Sequence, residues 1–345
     1  MRALRMVGWN HDPEFQDVPE PEPGPGEVVL SIGGAGVCHS DLHLLYEFPA
    51  GMMPWTLPVT LGHENAGWVH RLGAGVTGFE VGQPVAVYGP WGCGHCHACA
   101  TGHENYCRNA TLGAPVGGLG ADGGMAEQML VPHARHLIPL PDSLPAALAA
   151  PLTDGALTPY HAIARAQSVL VPGSTAVVIG VGGLGHLGIQ ILRAVTGTSV
   201  VAVDARPDAL ELARGCGADH QVPAGEDAAA AIRDLTGGRG ADAVFDMVGS
   251  DATLALAAQV VSVEGHIGIV GLAGGALPVS VLALPFGITV SPTYWGTLPE
   301  LYEVLALAAR GDIVAHTTNY PLDRADEAYA AIRAGEVIGR AVVVP

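Results

Sequence analysis

The sequence predicts an α/β chain in two parts, a mostly β region built of short irregular strands and, after it, a doubly wound parallel sheet. Three observations carry this. The chain has 345 residues and is 49% hydrophobic, enough to bury a large core and to form two domains. Before about residue 150, runs such as "EVVLSI", "AGWVHRLG" and "QPVAVYG" stand between Gly and Pro punctuation, as in an irregular β domain. Beyond that point strand patterns alternate with helical ones, which is the order of parallel strands joined by crossover helices.

In the second part, "STAVVIG", "SVVAVD", "ADAVFDMVG" and "GHIGIVG" read as buried strands. The apolar helix "HLGIQILRAVTG" lies between the first two, and "RPDALELARGCGAD" and "AGEDAAAAIRDLTGG" precede the third. From "SPTYWGTLPELYEVLALAARG" the tail carries one more helix and then the short strand "RAVVVP". No fixed-period repeat is found.

At the first strand-to-helix turn stands "GVGGLG", residues Gly180, Val181, Gly182, Gly183, Leu184 and Gly185. Alone, G-x-G-x-x-G is a weak signal in a chain with 48 glycines. Here it closes a strand and opens a helix, where glycines permit a tight turn and a pyrophosphate can approach the helix N-terminus. The next strand ends in Asp204, placed to accept hydrogen bonds from a ribose diol and to repel a 2′-phosphate, which favours NAD over NADP. Arg206, just past the strand, is the group that would accommodate a phosphate.

Four of the six cysteines, Cys93, Cys96, Cys99 and Cys107, fall within fifteen residues at C-x2-C-x2-C-x7-C spacing. A disulfide scaffold belongs to small secreted chains. This chain is long, and its start, "MRALRMVGWNHDPEF", has no apolar run of a signal peptide, so a cytoplasmic setting with reduced thiols is expected. Reduced thiols at this spacing suit a closed, structural zinc site. His95, His97 and His103 lie among them and read better as solvent-facing loop residues. Cys216 reads as a small buried hydrophobe near a helix end.

The formal charge of −18 argues against nucleic acid or acidic membrane surfaces as partners. No apolar run reaches membrane-spanning length.

Two further loops are rich in ligand residues. "GVCHSDLH" holds Cys38, His39, Ser40, Asp41 and His43, and "GHENAG" holds His63 and Glu64. If Cys38 and His63 converge on zinc, an open catalytic site needs one more protein ligand. "PLTDGALTPYHA" offers Asp154 at the domain junction.

In this order and spacing, "GVCHSDLH", "GHENAG", the four-cysteine loop and "GVGGLG" resemble the zinc-dependent medium-chain alcohol dehydrogenases, from "PGPGEVVL" to "GRAVVV". The resemblance implies a GroES-like, mostly β catalytic domain over 1–150, with 291–345 returning to it, and a Rossmann coenzyme domain over 151–290. It implies two zinc ions per chain, NAD, a small-molecule alcohol or ketone substrate, and a homo-oligomer, a tetramer sooner than a dimer. Cys38 and His63 match catalytic zinc ligands, and Glu64 a carboxylate that approaches the metal. Asp154 falls where many members have a cysteine, which resembles the secondary-alcohol branch and leaves the metal a stronger Lewis acid. Ser40 matches the hydroxyl that binds the alcohol, His43 the imidazole that passes its proton to solvent, Asp41 the acceptor orienting His63, and Arg340 a pyrophosphate contact. Trp55, Tyr294 and Trp295 resemble walls of a pocket for an apolar or aryl secondary alcohol. Asn65 replaces a glycine common in the family, which bears on the local turn. Two other readings compete: a zinc-free quinone or enone reductase of the same superfamily, and a non-catalytic binding protein on this fold.

Overall fold

The computed structural model describes residues 1–110 and 116–345 and divides them into two compact units. The first comprises Met1–Gly155, Thr297–Ala309 and Ala315–Pro345. The second comprises Ala156–Gly296 and Arg310–Val314.

The first unit is organised by the ten-residue strand Val28–Val37, nine of whose residues are buried. It pairs antiparallel with Glu64–Leu72, Gln128–Val131 and Arg340–Val344. Pro84–Val87 and Leu137–Pro139 extend the seven-stranded sheet on one side, and Thr317–Pro321 closes the other, parallel to Arg340–Val344. Leu30, Ile32, Val69, Val85 and Met129 fill the core beneath.

The second unit holds a six-stranded parallel sheet. In space its strands run His220–Pro223, Ser199–Asp204, Thr175–Ile179, Ala241–Asp246, Val261–Ile269 and Thr289–Pro292. In chain order that is 3-2-1-4-5-6, so the order reverses beside Thr175–Ile179, where dinucleotides bind in such sheets. Val177, Val201, Val244 and Ile267 are fully buried at its centre.

The structure adds elements that the sequence pattern does not announce. Instead of one tail helix there are two, Leu298–Ala309 and Ala325–Arg333, with the strand Thr317–Pro321 between them. His220–Pro223 and Thr289–Pro292 are also additional, and both lie at the sheet edges. The helix Asp251–Val260 is a further addition, capped by Ser250, whose hydroxyl accepts the Thr253 N–H. Among the described residues no helix is long and apolar enough to cross a membrane.

Candidate functional site

Strand register in the first unit brings distant segments to one rim of its sheet. Gly36 pairs with Glu64 and Val37 with Ala341, so Cys38, His63, Glu64 and Arg340 all sit where these strands begin or end. Asp154 ends the 3-10 turn Ala150–Thr153, which packs on the same strands. Ligand atoms of Cys38, His63, Glu64 and Asp154 lie within 4.8 Å of one another. His63 Nε2 is 3.4 Å from Asp154 Oδ2. A Cβ at position 36 would collide with the Glu64 carboxylate, so glycine is what lets that side chain lie against the strand.

The donor set is heavily acidic. Asp41, Glu64 and Asp154 face it together with the Cys38 thiol, while among the described residues Arg340, paired with Glu64, is the permanent cation in contact. Burial works against charge on His63, yet Asp41 and then Asp154 hold its pKa well above the ordinary range. Burial raises Glu64 to about 7 against the pull of Arg340, with Asp154 adding to the rise. Glu64 Oε1 is buried and has no hydrogen-bond partner. A divalent cation held by His63 Nε2, Cys38 Sγ and the carboxylates would offset this negative charge and give Glu64 Oε1 a partner, so the residues fit a metal.

Asp41 organises the next layer. It is fully buried; its Oδ1 accepts His63 Nδ1–H at 3.0 Å, and its Oδ2 accepts Cys38 N–H at 3.3 Å and Tyr329 Oη–H at 3.1 Å. Burial, reinforced by Asp41, pushes the Tyr329 hydroxyl well above its usual pKa, so it stays a donor. With Nδ1 committed to Asp41, His63 turns Nε2 toward the cluster. Ser40 Oγ is 3.5 Å from that nitrogen. His43 is buried, with Nδ1 2.5 Å from Glu47 Oε2.

The four-cysteine loop also closes on itself. Sγ atoms of Cys96 and Cys99 are 3.5 Å apart, those of Cys93 and Cys99 3.9 Å, and those of Cys96 and Cys107 4.0 Å. Zinc–sulfur bonds of about 2.3 Å at tetrahedral angles require roughly 3.8 Å between sulfurs. All six cysteines are free thiols. The His95 amide draws Cys93 down to about 6, whereas burial pushes Cys99 up to about 12, so a cation is needed to ionise the whole set. His95, His97 and His103 are exposed and do not join the group.

In the second unit Gly180 has φ of 88° and bonds back to Val203. Nothing lies within 4 Å of a Cβ at Gly182, while one at Gly185 would strike the Gly180 carbonyl. The loop therefore keeps an open face at Gly182 and close packing at Gly185, with Gly183 and Leu184 leading into the helix, as a pyrophosphate cradle requires. Asp204 ties its strand to the loop, Oδ2 accepting Val181 N–H at 2.7 Å and Oδ1 accepting Arg206 N–H at 2.9 Å. The Arg206 guanidinium lies 3.7 Å from Asp208.

Other sequence candidates take definite places. Trp55 stacks near Trp9, with centroids 6.1 Å apart, in the first unit. Tyr294 and Trp295 meet edge to face in the second, Tyr294 half exposed and Trp295 buried. Asn65 lies within a strand, with Nδ2 donating to Gly62 O at 2.9 Å, so its conformation is extended instead of a turn. Arg340 is 3% exposed and packed on Glu64. Cys216 caps a helix end, and burial raises its pKa to about 11.

Two residues escape sequence reasoning. Tyr329 sits in "ADEAYAAIR", where a single hydroxyl among alanines is the only cue. Glu104 accepts from Gly92 N at 2.9 Å, Arg135 Nε at 3.1 Å and His136 Nε2 at 3.2 Å, anchoring the four-cysteine loop.

Residues 24–142 match the alcohol dehydrogenase GroES-like domain, and residues 183–310 match the zinc-binding dehydrogenase family. The chain is 37% identical to an NAD-dependent alcohol dehydrogenase of Sulfurisphaera tokodaii, covering 100% of both proteins. It is 34% identical to a D-arabinose 1-dehydrogenase (NADP(+)) of Saccharolobus solfataricus, over 100% of this chain and 97% of that one. The crystal structure of the alcohol dehydrogenase from Aeropyrum pernix superposes with a TM-score of 0.93 at 35% identity, covering 100% of both chains.

Proposed function

The chain belongs to the medium-chain family of GroES-like, zinc-binding alcohol dehydrogenases, which makes it an oxidoreductase, and from that premise we propose that it is a zinc- and NAD-dependent dehydrogenase of secondary alcohols. The observation that carries this reading is the convergence of Cys38, His63, Glu64 and Asp154 around one point. Cys38, His63 and Asp154 would hold the catalytic zinc, and Cys93, Cys96, Cys99 and Cys107 a second, structural one. When bound, the catalytic zinc supplies Lewis acidity and the nicotinamide dinucleotide a hydride acceptor.

The rest is work for the protein's own side chains. Asp41 fixes the His63 tautomer. Ser40, beside His63 Nε2, accepts the proton of the substrate hydroxyl, and His43 delivers it onward to solvent. Arg340 holds Glu64, which stands as a spare carboxylate beside the ligand set. Gly180, Gly182, Gly183, Leu184 and Gly185 receive the pyrophosphate, and Asp204 accepts from the ribose hydroxyls. Asp154 in place of a thiolate would leave a bound zinc a stronger Lewis acid and, by family resemblance, favours secondary, apolar or aryl alcohols. The active form in this reading is a homo-oligomer, a tetramer, working in the cytoplasm.

The test is kcat/KM for primary, aliphatic secondary and aryl secondary alcohols and for D-arabinose, each with NAD and NADP. A secondary alcohol with NAD is expected to lead by at least about tenfold, with about two zinc ions per chain. A lead for the pentose with NADP would make this a sugar dehydrogenase and give Arg206 a 2′-phosphate. Turnover of quinones or enones alone would replace the reading with a zinc-free reductase.

A further inference from the structure

We infer that His39, His43 and Glu47 form an additional metal site, for a divalent transition ion, on the helical segment that follows Cys38. His39–Leu42 is a turn of α-helix and His43–Glu47 continues it as a wider turn. The His-x3-His-x3-Glu spacing sets three donors on one face, the same histidine separation that binds zinc in helical H-E-x-x-H motifs. One ligand atom from each residue lies within 4.8 Å of the other two. The His39 and His43 ring centroids are 5.0 Å apart, and His43 Nδ1 already touches Glu47 Oε2 at 2.5 Å.

Two imidazoles and one carboxylate are a donor set for zinc, nickel or copper, with room left for water. Access is open on one side, since His39 is exposed and the Glu47 side chain is 54% exposed, while His43 closes the other. None of the three residues belongs to the Cys38 or the four-cysteine group. Binding moves the His43 ring proton to Nε2, because Nδ1 must present its lone pair, and it converts Glu47 from hydrogen-bond acceptor to ligand.

The functional consequence rests on the relay role proposed above for His43. An ion on the ring occupies the nitrogen that faces Glu47 and locks the tautomer, so the proton exit closes. Surplus transition metal then slows alcohol oxidation without disturbing the catalytic ligands.

The experiment uses tag-free holoprotein with its own zinc in place, titrated with nickel chloride by calorimetry, and counts nickel and zinc after dialysis. The wild type is expected to gain one nickel per chain at constant zinc, and His39→Gln and Glu47→Gln are each expected to weaken that binding at least tenfold. Absence of added nickel, equal affinity in all three proteins, or nickel gained only as zinc is lost would overturn the site. Rates measured with and without nickel separate the two readings. If nickel binds as expected and slows the wild type but not Glu47→Gln, both stand. If it binds and the rate does not move, the site stands and the relay role of His43 falls. If it does not bind, the site falls and the relay is untouched.

Discussion

The four-cysteine loop and the Cys38–His63–Glu64–Asp154 cluster lie in the same unit and suit the same ion, but the chain assembles them in opposite ways. The loop draws all four thiols from residues 93–107, three of them partly exposed, through short turns. The cluster draws on positions 38, 63, 64 and 154, and it exists only when two strands and a 3-10 turn are in register. A local chelate gains its order from the metal, so metal binding there is folding free energy. An assembled one is ordered by the sheet beforehand, and the sheet can hold acidic groups together that would otherwise repel. On the function proposed above, the first arrangement would serve stability and the second chemistry.

Asp154→Ala is the strongest way to break this contrast. Loss of second-layer partners in metal sites costs about 10–100-fold, so removal of a direct ligand is expected to lower kcat/KM by more than about 100-fold. Metal counting is expected to show one zinc per chain, held by the four cysteines, with the thermal midpoint little changed. A mutant keeping both metals and its rate would hand the third position to Glu64.

Cys107→Ser attacks the other side. Cys107 Sγ lies 4.0 Å from that of Cys96 and accepts the Cys93 N–H at 3.4 Å, so its loss opens the loop. The expected outcome is a Tm lower by roughly 5–10 °C, from a loss of a few kcal/mol in a chain of this size, with the loop zinc gone and turnover per folded molecule near the wild type. Should turnover collapse while Tm holds, the division between a stabilising and a reacting metal would be wrong.

The same contrast explains what could be read in advance. The loop was legible as a set because its spacing is local, whereas Cys38, His63 and Asp154 were legible only as ligand types until family resemblance joined them. In the parallel sheet, Thr175–Ile179 and Ser199–Asp204 are buried on both faces and stand out as apolar runs. His220–Pro223 and Thr289–Pro292 sit at the edges with one buried residue each, so no run marks them. Asn65 tolerates left-handed geometry better than most residues, but it lies within a strand, where its side chain bonds Gly62 O and tertiary packing decides its conformation. Glu104 was silent because its partners, Arg135 and His136, lie about thirty residues away in chain.

Tyr329 was the least legible, and its effect is expected to be the smallest. Its partner Asp41 is 288 residues distant in sequence, and no local pattern links a hydroxyl on the Ala325–Arg333 helix to a carboxylate next to Cys38. In the structure the hydroxyl is one of three donors to Asp41, with Cys38 N–H and His63 Nδ1–H. A hydrogen bond to a buried carboxylate steadies its charge. Without it Asp41 pulls harder on the His63 proton, the imidazole becomes a stronger donor to a bound metal, and the metal becomes a weaker acid. Deprotonation of the alcohol then requires a higher pH. Tyr329→Phe is therefore expected to lower kcat/KM by up to about tenfold near neutrality, with the acid limb of the pH profile displaced upward and the gap narrowing as pH rises. Phenylalanine fills nearly the same volume, so Tm and the loop zinc are expected to change little. A merely structural role for Tyr329 would lower Tm and leave the pH profile in place, and a profile that overlays the wild type would detach this tyrosine from the reacting cluster.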